Sequence, residues 1–557
     1  MRIDQYKVPL LFVASFVYLA ANAFLVSHWI QHFELYGIGL QIVLLLPAIW
    51  FVLRSGSREA PAPWNIKPKF TWLAIGLFFT ACLGFGYFIG QGVTFGDETS
   101  YKFQAEVFST FHTRGLAPPG SAAIPSQTPV PIAYKHLILS SSGGWFSKYA
   151  VGWPLVLAIG ERFNLGWAAT PILGALLLIV SAAITREAFD ESLVFPYVLI
   201  AVLSPYVLGC STGRMSHALC AVLIAVATMF YLRGIRTNSF SQFVLMFVTL
   251  LASYHVRVFT AFIVTVVLVI GLFAHYFRDR AMLFRLLPLS VVAGVITIAS
   301  VLLYNQFYTG HALLSPYALY NPNEIKRPGI HDLIQNVLLL RRTSIQSTLL
   351  YTFPFVFVLA GYGYWINRRS LVAKTLAGIF VAIFLAHFAW VFNASPIVGE
   401  RYYYDGYFAV VILAAAGVQA LLTKWQVPKR AIIQVAVALA FVQIGMTVVG
   451  ANEIAKVGKP YREVLKLAEA RRDCHCAVFL KSTYDNFYLN ANFNLNTPAW
   501  KSANVFYFND PGPEGRSYWA NKYGWHDWVV ISYDLDKQVA FSQEFHAARE
   551  EAADTSK

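Results

Sequence analysis

The sequence contains few charged residues for its length. Asp, Glu, Lys and Arg make up 13% of its 557 residues, about half the share of ~25% that is usual in soluble domains. Because so few charges cannot cover several soluble surfaces, the composition excludes an ordinary soluble multidomain protein. Five cysteines are too few for a disulfide scaffold, and the sequence has no Gly-x-Gly-x-x-Gly or P-loop pattern typical of nucleotide-binding folds.

Long apolar segments predict a protein that crosses a membrane many times. Hydrophobic residues make up 57% of the chain, and a membrane-spanning helix needs ~20 of them in succession. We predict about thirteen spans, at 8–30, 37–53, 70–90, 167–185, 192–209, 217–232, 240–254, 258–277, 286–304, 346–366, 371–393, 407–423 and 431–450. The fold class that follows is mainly α and polytopic.

The distribution of basic residues predicts the orientation. The chain has 43 Lys and Arg against 29 Asp and Glu, a formal charge of +14, and most of the basic residues in short loops fall on one side of the predicted spans. The opposite short loops contain only Arg214, Arg257 and Arg401. Since basic loops face the cytoplasm, the N-terminus is placed inside, and the basic excess indicates a membrane protein rather than a nucleic-acid partner. An odd number of spans then places the 91–166 loop and the 451–557 tail on the periplasmic side.

Three regions are too long to be simple connections. They are the outer loops 91–166 and 305–342 and the tail, and long ordered loops usually have a function. We predict a transmembrane domain over 1–450 and a small α/β outer domain over 451–557. In the tail, the pattern predicts a short helix over 461–471 and buried strands at 477–480 and 528–531.

Two acidic residues follow the third predicted span directly. Asp97 and Glu98 precede a segment, 99–113, that predicts a helix lying along the membrane surface. The helix dipole favours ionised carboxylates at its N-terminus, and an ionised carboxylate can deprotonate a hydroxyl acceptor as a general base. The alternative is an ordinary helix cap with an acidic first turn, and the residues alone leave both open.

The end of the same loop contributes Trp145-Phe146-Ser147-Lys148-Tyr149, followed by Gly152-Trp153-Pro154. Together with Asp97-Glu98-Thr99-Ser100-Tyr101, this resembles the polyprenyl-phosphate-sugar-dependent glycosyltransferases of the GT-C superfamily. The likeness is to the branch of protein O-mannosyltransferases and of aminoarabinose and galacturonic-acid transferases. That branch has Lys-Tyr-Pro-Pro-Gly-Trp-Pro where this chain has Ala150-Val151 in place of the two prolines. Further similar segments are Ser204-Pro205-Tyr206 with Ser216-His217, Gly310-His311 with Ser315-Pro316-Tyr317, and Gly399-Glu400-Arg401-Tyr402-Tyr403-Tyr404.

The resemblance implies a GT-C fold with interfacial helices in the first outer loop and an inverting sugar transfer. Asp97 would deprotonate the acceptor, with Glu98 as the second carboxylate. Basic residues at the outer boundary, Lys148, Arg257 and Arg401, suit the phosphate of a lipid donor, since a guanidinium can engage two of its oxygens. The alternatives are contact with a lipid headgroup, snorkelling, or an ion pair of Arg401 with Glu400 or Asp405.

Four further residues are candidates for contact with the substrate: Tyr149, His217, His311 and Tyr402. For the two histidines the alternative is a structural role, because neutral imidazole is also a common packing group. No cofactor is required, although Asp97 and Glu98 can supply oxygen ligands to Mg²⁺ or Ca²⁺. Cys474-His475-Cys476 lacks a second pair of ligands, so it does not predict a zinc site.

The predicted function is transfer of a sugar from a polyprenyl monophosphate donor at the inner membrane. The acceptor is a hydroxyl of lipid A, another glycolipid, a glycan or a protein, and the sequence specifies neither the acceptor nor the sugar. One alternative is a ligase or polymerase with a diphosphate donor. A lipid transporter is a second, but it predicts ionisable residues inside the spans and an internal repeat, neither of which is evident here. The third is an assembly protein whose outer domain binds partners.

Overall fold

The computed structural model describes residues 66–89, 97–116, 137–139, 144–320, 345, 347–353, 355–388, 399–425, 429–471, 476–481, 505–510, 512–523, 527–534 and 539–546. The predicted spans 8–30 and 37–53 lie outside these residues, as do Cys474 and His475. The chain divides into two compact units. Unit 1 comprises Met1–Gly86, Trp167–Leu302 and Lys326–Glu453, and unit 2 comprises Tyr87–Gly166, Leu303–Ile325 and Ile454–Lys557.

Helices dominate the described residues, as the sequence predicts. In chain order they are α1 (Pro68–Gly84), α2 (Asp97–Ser109), α3 (Gly152–Glu161), α4 (Gly166–Ala188), α5 (Val194–Val202), α6 (Pro205–Cys210), α7 (His217–Thr237), α8 (Phe240–Tyr254), α9 (Val258–Tyr276), α10 (Arg280–Thr309), α11 (Pro316–Tyr320), α12 (Val356–Ile366), α13 (Leu371–Phe388), α14 (Arg401–Trp425), α15 (Lys429–Glu469) and α16 (Pro513–Tyr523). The strands are β1 (Gly115–Leu116), β2 (Leu137–Leu139), β3 (Gly144–Ser147), β4 (Cys476–Lys481), β5 (Val505–Asn509), β6 (Asp527–Asp534) and β7 (Val539–His546).

Seven described helical segments are long and apolar enough to cross a bilayer. They are Pro68–Tyr87, Gly166–Ala188, His217–Thr237, Val258–Tyr276, Arg280–Thr309, Leu371–Phe388 and Arg401–Thr423, and each overlaps a predicted span. Shorter apolar helices occupy Glu191–Val202, Phe240–Tyr254, Val356–Ile366 and Leu439–Val448. The chain is therefore a multi-pass membrane protein, and the count of thirteen spans stays a prediction.

Exposed apolar side chains on α10 are consistent with a lipid environment. Val291, Val295 and Ile298 follow one another at helical spacing, and each is more than half exposed in the isolated chain. A soluble protein rarely exposes so continuous an apolar surface, whereas in a bilayer the same surface faces acyl chains.

The predicted span 192–209 is broken into two short helices. Ser204 has an extended backbone between α5 and α6, and Pro205 is the first residue of α6. Proline disfavours a helical conformation in the residue before it and is well tolerated as the first residue of a helix. The break therefore follows from Ser204-Pro205, which hydropathy alone does not detect.

Two glycines bring the backbones of α12 and α14 into contact. A Cβ atom on Gly363 would overlap the carbonyl oxygen of Leu413, and one on Gly417 would overlap that of Leu359. Small residues permit this close approach between helices in membranes. The contact fixes α14, the most buried of the candidate spans, whose first residues take part in the candidate site.

In unit 2, α2 is shorter than predicted and more deeply buried. It ends at Ser109, and Phe111, placed in the helix by the sequence pattern, has a left-handed backbone and is 90% exposed. The Ser109 and Thr110 hydroxyls donate to carbonyls of the last turn. Such side-chain hydrogen bonds compete with those that would continue the helix, and the apolar pattern does not predict them. The helix packs against α3 and β3, and β3 pairs antiparallel with β1 and β2.

The tail contains the predicted strands but a different helix. The predicted strands at 477–480 and 528–531 are confirmed as buried parts of β4 and β6 in a sheet of order β5-β4-β6-β7, in which only β7 is antiparallel. The predicted span 431–450 and short helix 461–471 form one helix, α15, which continues through Pro460. The predicted span and the predicted helix are thus parts of one element, because an interior proline removes one hydrogen bond and can kink a helix without ending it.

Candidate active site

The first cluster of candidate residues lies in unit 2, around the start of α2. Asp97 is the first residue of the helix and is half-buried, while Glu98 is only 7% exposed. The Tyr149 hydroxyl donates a hydrogen bond to Asp97. Burial, and then the negative charge of Asp97, raise the pKa of Tyr149 well above its usual value. Tyr149 therefore keeps its proton and remains a hydrogen-bond donor to the carboxylate. The helix dipole, independently, favours the ionised form of Asp97.

Three tyrosines and a serine fix the position of Tyr149. Its ring stacks on Tyr101 at 4.5 Å between centroids and meets the edge of Tyr317 at 6.1 Å. The Tyr304 hydroxyl donates to the Tyr149 carbonyl at 3.1 Å, and the Tyr149 amide donates to the Ser147 hydroxyl at 3.1 Å. The donor to Asp97 is thus held from both its ring and its backbone.

Polar contacts tie α2 to β3 beside the acidic pair. The hydroxyls of Ser100 and Ser147 are 2.7 Å apart, and the Ser147 amide donates to Gln104 Oε1 at 2.9 Å. These buried bonds lie one and two turns along the helix from Asp97. They hold Asp97 in register with Lys148 and Tyr149, which follow Ser147 directly in the chain.

Lys148 is 3% exposed and lies among aromatic rings. Its ammonium group is 4.5 Å from the ring centroids of Tyr317 and Tyr320 and 5.2 Å from that of Tyr149. Such cation–π contacts stabilise a cation removed from water. We call Asp97, Tyr101, Lys148, Tyr149 and Tyr317 the Asp97 cluster.

The second cluster lies in unit 1 and is centred on a carboxylate that is fully buried. Asp405 Oδ1 accepts from His217 Nδ1 at 3.0 Å, and its Oδ2 accepts from Arg257 Nε at 2.9 Å and from the Thr260 hydroxyl at 3.0 Å. His387 Nε2 is 3.2 Å from the Thr260 hydroxyl. We call these five residues the Asp405 cluster.

Tyr402 lies beside this cluster and contacts several of its members. Its ring stacks on His387 at 4.9 Å, and the guanidinium of Arg257 lies 5.1 Å from its centroid. Arg401 approaches the same ring at 5.9 Å and donates to the sulfur of Met215. Tyr402 thus contacts two guanidinium groups.

The ends of three helices meet at the Asp405 cluster. His217 is the first residue of α7, Arg257 immediately precedes α9, and Asp405 is in the second turn of α14. Glu400 is fully buried before α14 and accepts from the Tyr402 amide at 3.4 Å. Helix N-termini attract anions. The helix N-termini and the guanidinium groups of Arg257 and Arg401 together give this end of unit 1 the chemistry to bind a phosphate.

The structure groups the predicted residues in two sets. Asp97, Glu98, Lys148 and Tyr149 lie together in unit 2, and His217, Arg257, Arg401 and Tyr402 lie together in unit 1. His311 is in an exposed turn bonded to Thr309 and joins neither cluster among the described residues.

Sequence reasoning did not identify Asp405, Thr260 and His387 as members of the site. Asp405 was considered only as an ion-pair partner of Arg401, whereas the structure pairs it with Arg257. An acidic residue at the head of an apolar helix was the available signal for Asp405. No such signal was available for Thr260 and His387.

Within the part of the chain that the structure describes, no group of three His, Cys, Asp or Glu side chains is arranged to hold a metal ion. Asp97 and Glu98 have the oxygen chemistry that Mg²⁺ and Ca²⁺ prefer, but they supply only two side chains. Binding of a divalent cation by this pair therefore stays a prediction.

The fold is similar to those of solved membrane glycosyltransferases. ArnT from Cupriavidus metallidurans, bound to undecaprenyl phosphate, has a TM-score of 0.52 and 12% identity over 85% of this chain and 94% of its own. The apo oligosaccharyltransferase of Archaeoglobus fulgidus has a TM-score of 0.50 and 13% identity over 84% of this chain and 70% of its own. The same enzyme with zinc and sulfate has a TM-score of 0.48 and 14% identity over 82% and 68% of the two chains.

No family model and no sequence of a curated protein matches the chain. The structural neighbours are glycosyltransferases of the GT-C superfamily, and the chain has the fold that they share. The predicted GT-C fold is confirmed at this level.

Proposed function

We propose that this protein is a membrane glycosyltransferase that moves a sugar from a polyprenyl monophosphate to a hydroxyl acceptor. The observation that carries the proposal is the Asp97 cluster, in which a helix N-terminus and the Tyr149 hydroxyl both stabilise an ionised carboxylate. The GT-C fold supports it, since the similar ArnT structure contains undecaprenyl phosphate.

Asp97 is the general base in the proposed reaction. The acceptor hydroxyl transfers its proton to Asp97 as its oxygen attacks the anomeric carbon. The bond between that carbon and the phosphate oxygen breaks, and the lipid phosphate leaves with the electron pair. The configuration at the anomeric carbon is thereby inverted. Lys148 binds the phosphate and stabilises the charge that develops on it, and Arg257 and Arg401 remain predicted phosphate ligands.

The remaining candidates bind or orient the substrates. Glu98 supports Asp97, while Tyr149, His217 and Tyr402 are in or beside the two clusters; His311 is the weakest of the candidates because its turn is exposed. The proposed reaction needs no cofactor. The alternative, a divalent cation at Asp97 and Glu98, is tested by adding Mg²⁺ or Ca²⁺ to protein treated with a chelator.

We place both clusters and the tail on the periplasmic side of the inner membrane. The positive-inside pattern supports this orientation, as does Cys476, which is disulfide-bonded, because disulfides persist in oxidising compartments. A cysteine at Gly515, with the native cysteines replaced, should react with an impermeant thiol reagent applied from outside. A cysteine at Arg369 should not, and the opposite labelling would reverse the topology.

The acceptor is lipid A, another glycolipid, a glycan or a protein. Comparative mass spectrometry of glycans and lipid A from cells with and without the protein identifies both the sugar and the acceptor. A ligase with a diphosphate donor is the second candidate, and purified protein that uses only diphosphate donors would establish it.

A further inference from the structure

Asp405 contacts side chains from two neighbouring helix ends at once. It lies on α14, fully buried, and accepts hydrogen bonds from His217, the first residue of α7, and from Arg257 and Thr260 at the start of α9. We infer that Asp405 is a positioning residue, which holds Arg257 and His217 in the arrangement that binds a lipid phosphate. This inference rests on the proposed function, because it takes Arg257 to be a phosphate ligand.

The hydrogen bonds of this cluster form a closed ring with one possible proton arrangement. Arg257 Nη1 is 3.1 Å from His217 Nε2, and arginine has no acceptor. Nε2 must therefore accept, which places the imidazole proton on Nδ1, where it is donated to Asp405. Asp405 in turn accepts from Arg257 Nε, so each of the three side chains fixes the other two.

The ring restricts an otherwise flexible arginine. Arg257 is 15% exposed, and Tyr402 lies against the guanidinium while Asp405 and His217 occupy its Nε and Nη1 groups. A side chain that is already ordered loses less freedom when a ligand binds. Asp405 thus stabilises the conformation in which Arg257 presents its charge at the helix ends.

Electrostatics alone predicts the opposite effect of Asp405 on a phosphate. A nearby carboxylate repels an anion, so its neutralisation should tighten phosphate binding if Asp405 acts only through its charge. Asparagine at this position would also offer one acceptor oxygen and an NH₂ group to three donors. In either orientation of the amide, its NH₂ group faces another hydrogen-bond donor, His217 Nδ1–H or Arg257 Nε–H. If the imidazole proton moved to Nε2 to relieve the first contact, Nε2–H would face the Nη1 group of Arg257. The positioning role therefore predicts weaker phosphate binding in Asp405→Asn.

The test is binding of undecaprenyl phosphate to the purified full-length protein in detergent, with the uncharged alcohol undecaprenol as the control probe. Arg257→Ala should weaken undecaprenyl phosphate binding by about tenfold or more, the effect of losing a charge-assisted hydrogen bond. Asp405→Asn should weaken it by about three- to tenfold. The double variant should bind no more weakly than Arg257→Ala alone, because Asp405 acts through Arg257. Undecaprenol binding should be the same in all four proteins.

Two further variants separate positioning from general stability. His217→Phe leaves the carboxylate in place and opens the ring, so it should weaken binding in the wild-type background but not in Arg257→Ala. This variant decides the question if Asp405→Asn does not fold. Tyr404→Phe removes a neighbouring 2.9 Å hydrogen bond to Ser211 and should lower the melting temperature without changing the affinity.

The outcomes distinguish the inference from the proposed function. Unchanged or tighter binding in folded Asp405→Asn, or losses that add in the double variant, would overturn the positioning role while leaving Arg257 as a phosphate ligand. If Arg257→Ala binds undecaprenyl phosphate as tightly as wild type, the phosphate assignment itself is wrong, and the inference fails with it.

Discussion

The Asp97 cluster is assembled mainly from two motifs of one outer loop, whereas the residues of the Asp405 cluster come from four helices. In the first, Asp97 and Tyr149 belong to short motifs at the two ends of the 91–166 region. In the second, His217, Arg257, His387 and Asp405 lie in or beside four different helices. Motifs therefore indicated the first cluster as a unit, while the second became a unit only through helix packing.

The two clusters also differ in what their buried charges contact. Lys148 lies among tyrosine rings, which stabilise a cation that is removed from water. Arg257 is paired with Asp405, so its charge is largely neutralised within the protein. Because Asp405 already accepts hydrogen bonds from three side chains, we expect it to hold binding groups in place rather than to accept a proton from the acceptor.

The largest expected effect is at Asp97. Asp97→Asn keeps the volume but removes the base, and loss of a general base typically costs about 10²–10⁴-fold in rate. Transfer activity of the purified variant, compared with Glu98→Gln, provides the measurement. We expect a smaller loss in Glu98→Gln, since one carboxylate accepts the proton. If Asp97→Asn kept near wild-type turnover, Asp97 would not be the base and would serve only as a helix cap.

The next effect is on donor binding by Arg401. Arg401→Lys keeps the charge but loses the planar fork, and we expect the donor KM to rise by about tenfold, from the loss of one charge-assisted contact, with the acceptor KM unchanged. Arg401→Ala should be worse. If both variants melt at lower temperature but keep the wild-type donor KM, Arg401 is structural and phosphate binding belongs to other residues.

A stability effect tests the packing that supports the Asp405 cluster. Gly363→Ala places a methyl group against the Leu413 carbonyl, and overpacking of this kind costs about 1–3 kcal/mol. Gly361→Ala on the same helix meets nothing within 4 Å and should be neutral or slightly stabilising. Thermal unfolding of the two variants compares them directly, and equal melting temperatures would contradict the close contact between α12 and α14.

The smallest effect is at Tyr149. Tyr149→Phe keeps the ring stacked on Tyr101 but removes the donor to Asp97, which stabilised the ionised carboxylate. The carboxylate then loses one stabilising contact, so the transfer rate of the purified variant should fall by about threefold, on the scale of one weak hydrogen bond. A transfer rate equal to that of the wild type would show that Tyr149 does not assist Asp97.

Hydropathy and motif spacing predicted the membrane class, the positions of the long helices and the Asp97 cluster. Hydropathy averages over windows, however, so it joined 192–209 across the break at Ser204-Pro205. It also could not anticipate that α15 continues through Pro460. Both errors concern single prolines, whose effect depends on whether neighbouring groups satisfy the backbone.

The Asp405 cluster was beyond prediction for a different reason. Whether Asp405 pairs with Arg401, four residues away on the same helix, or with Arg257 on another depends on how α9 and α14 are rotated about their axes. No local pattern in the sequence predicts that rotation. His387 and Thr260 became recognisable only because the same packing brings them to the carboxylate.

We propose above all that the protein transfers a sugar from a lipid phosphate and that Asp97 is the general base of this transfer. The most direct measurement is mass spectrometry of lipid A and glycans from cells that lack the gene, complemented with wild type, with Asp97→Asn or with an empty vector. We predict one glycan or lipid species that carries an added sugar mass with wild type and is lost in both of the other strains, although Asp97→Asn is present in the membrane in equal amount. Identical spectra from all three strains, or full restoration by Asp97→Asn, would contradict the account.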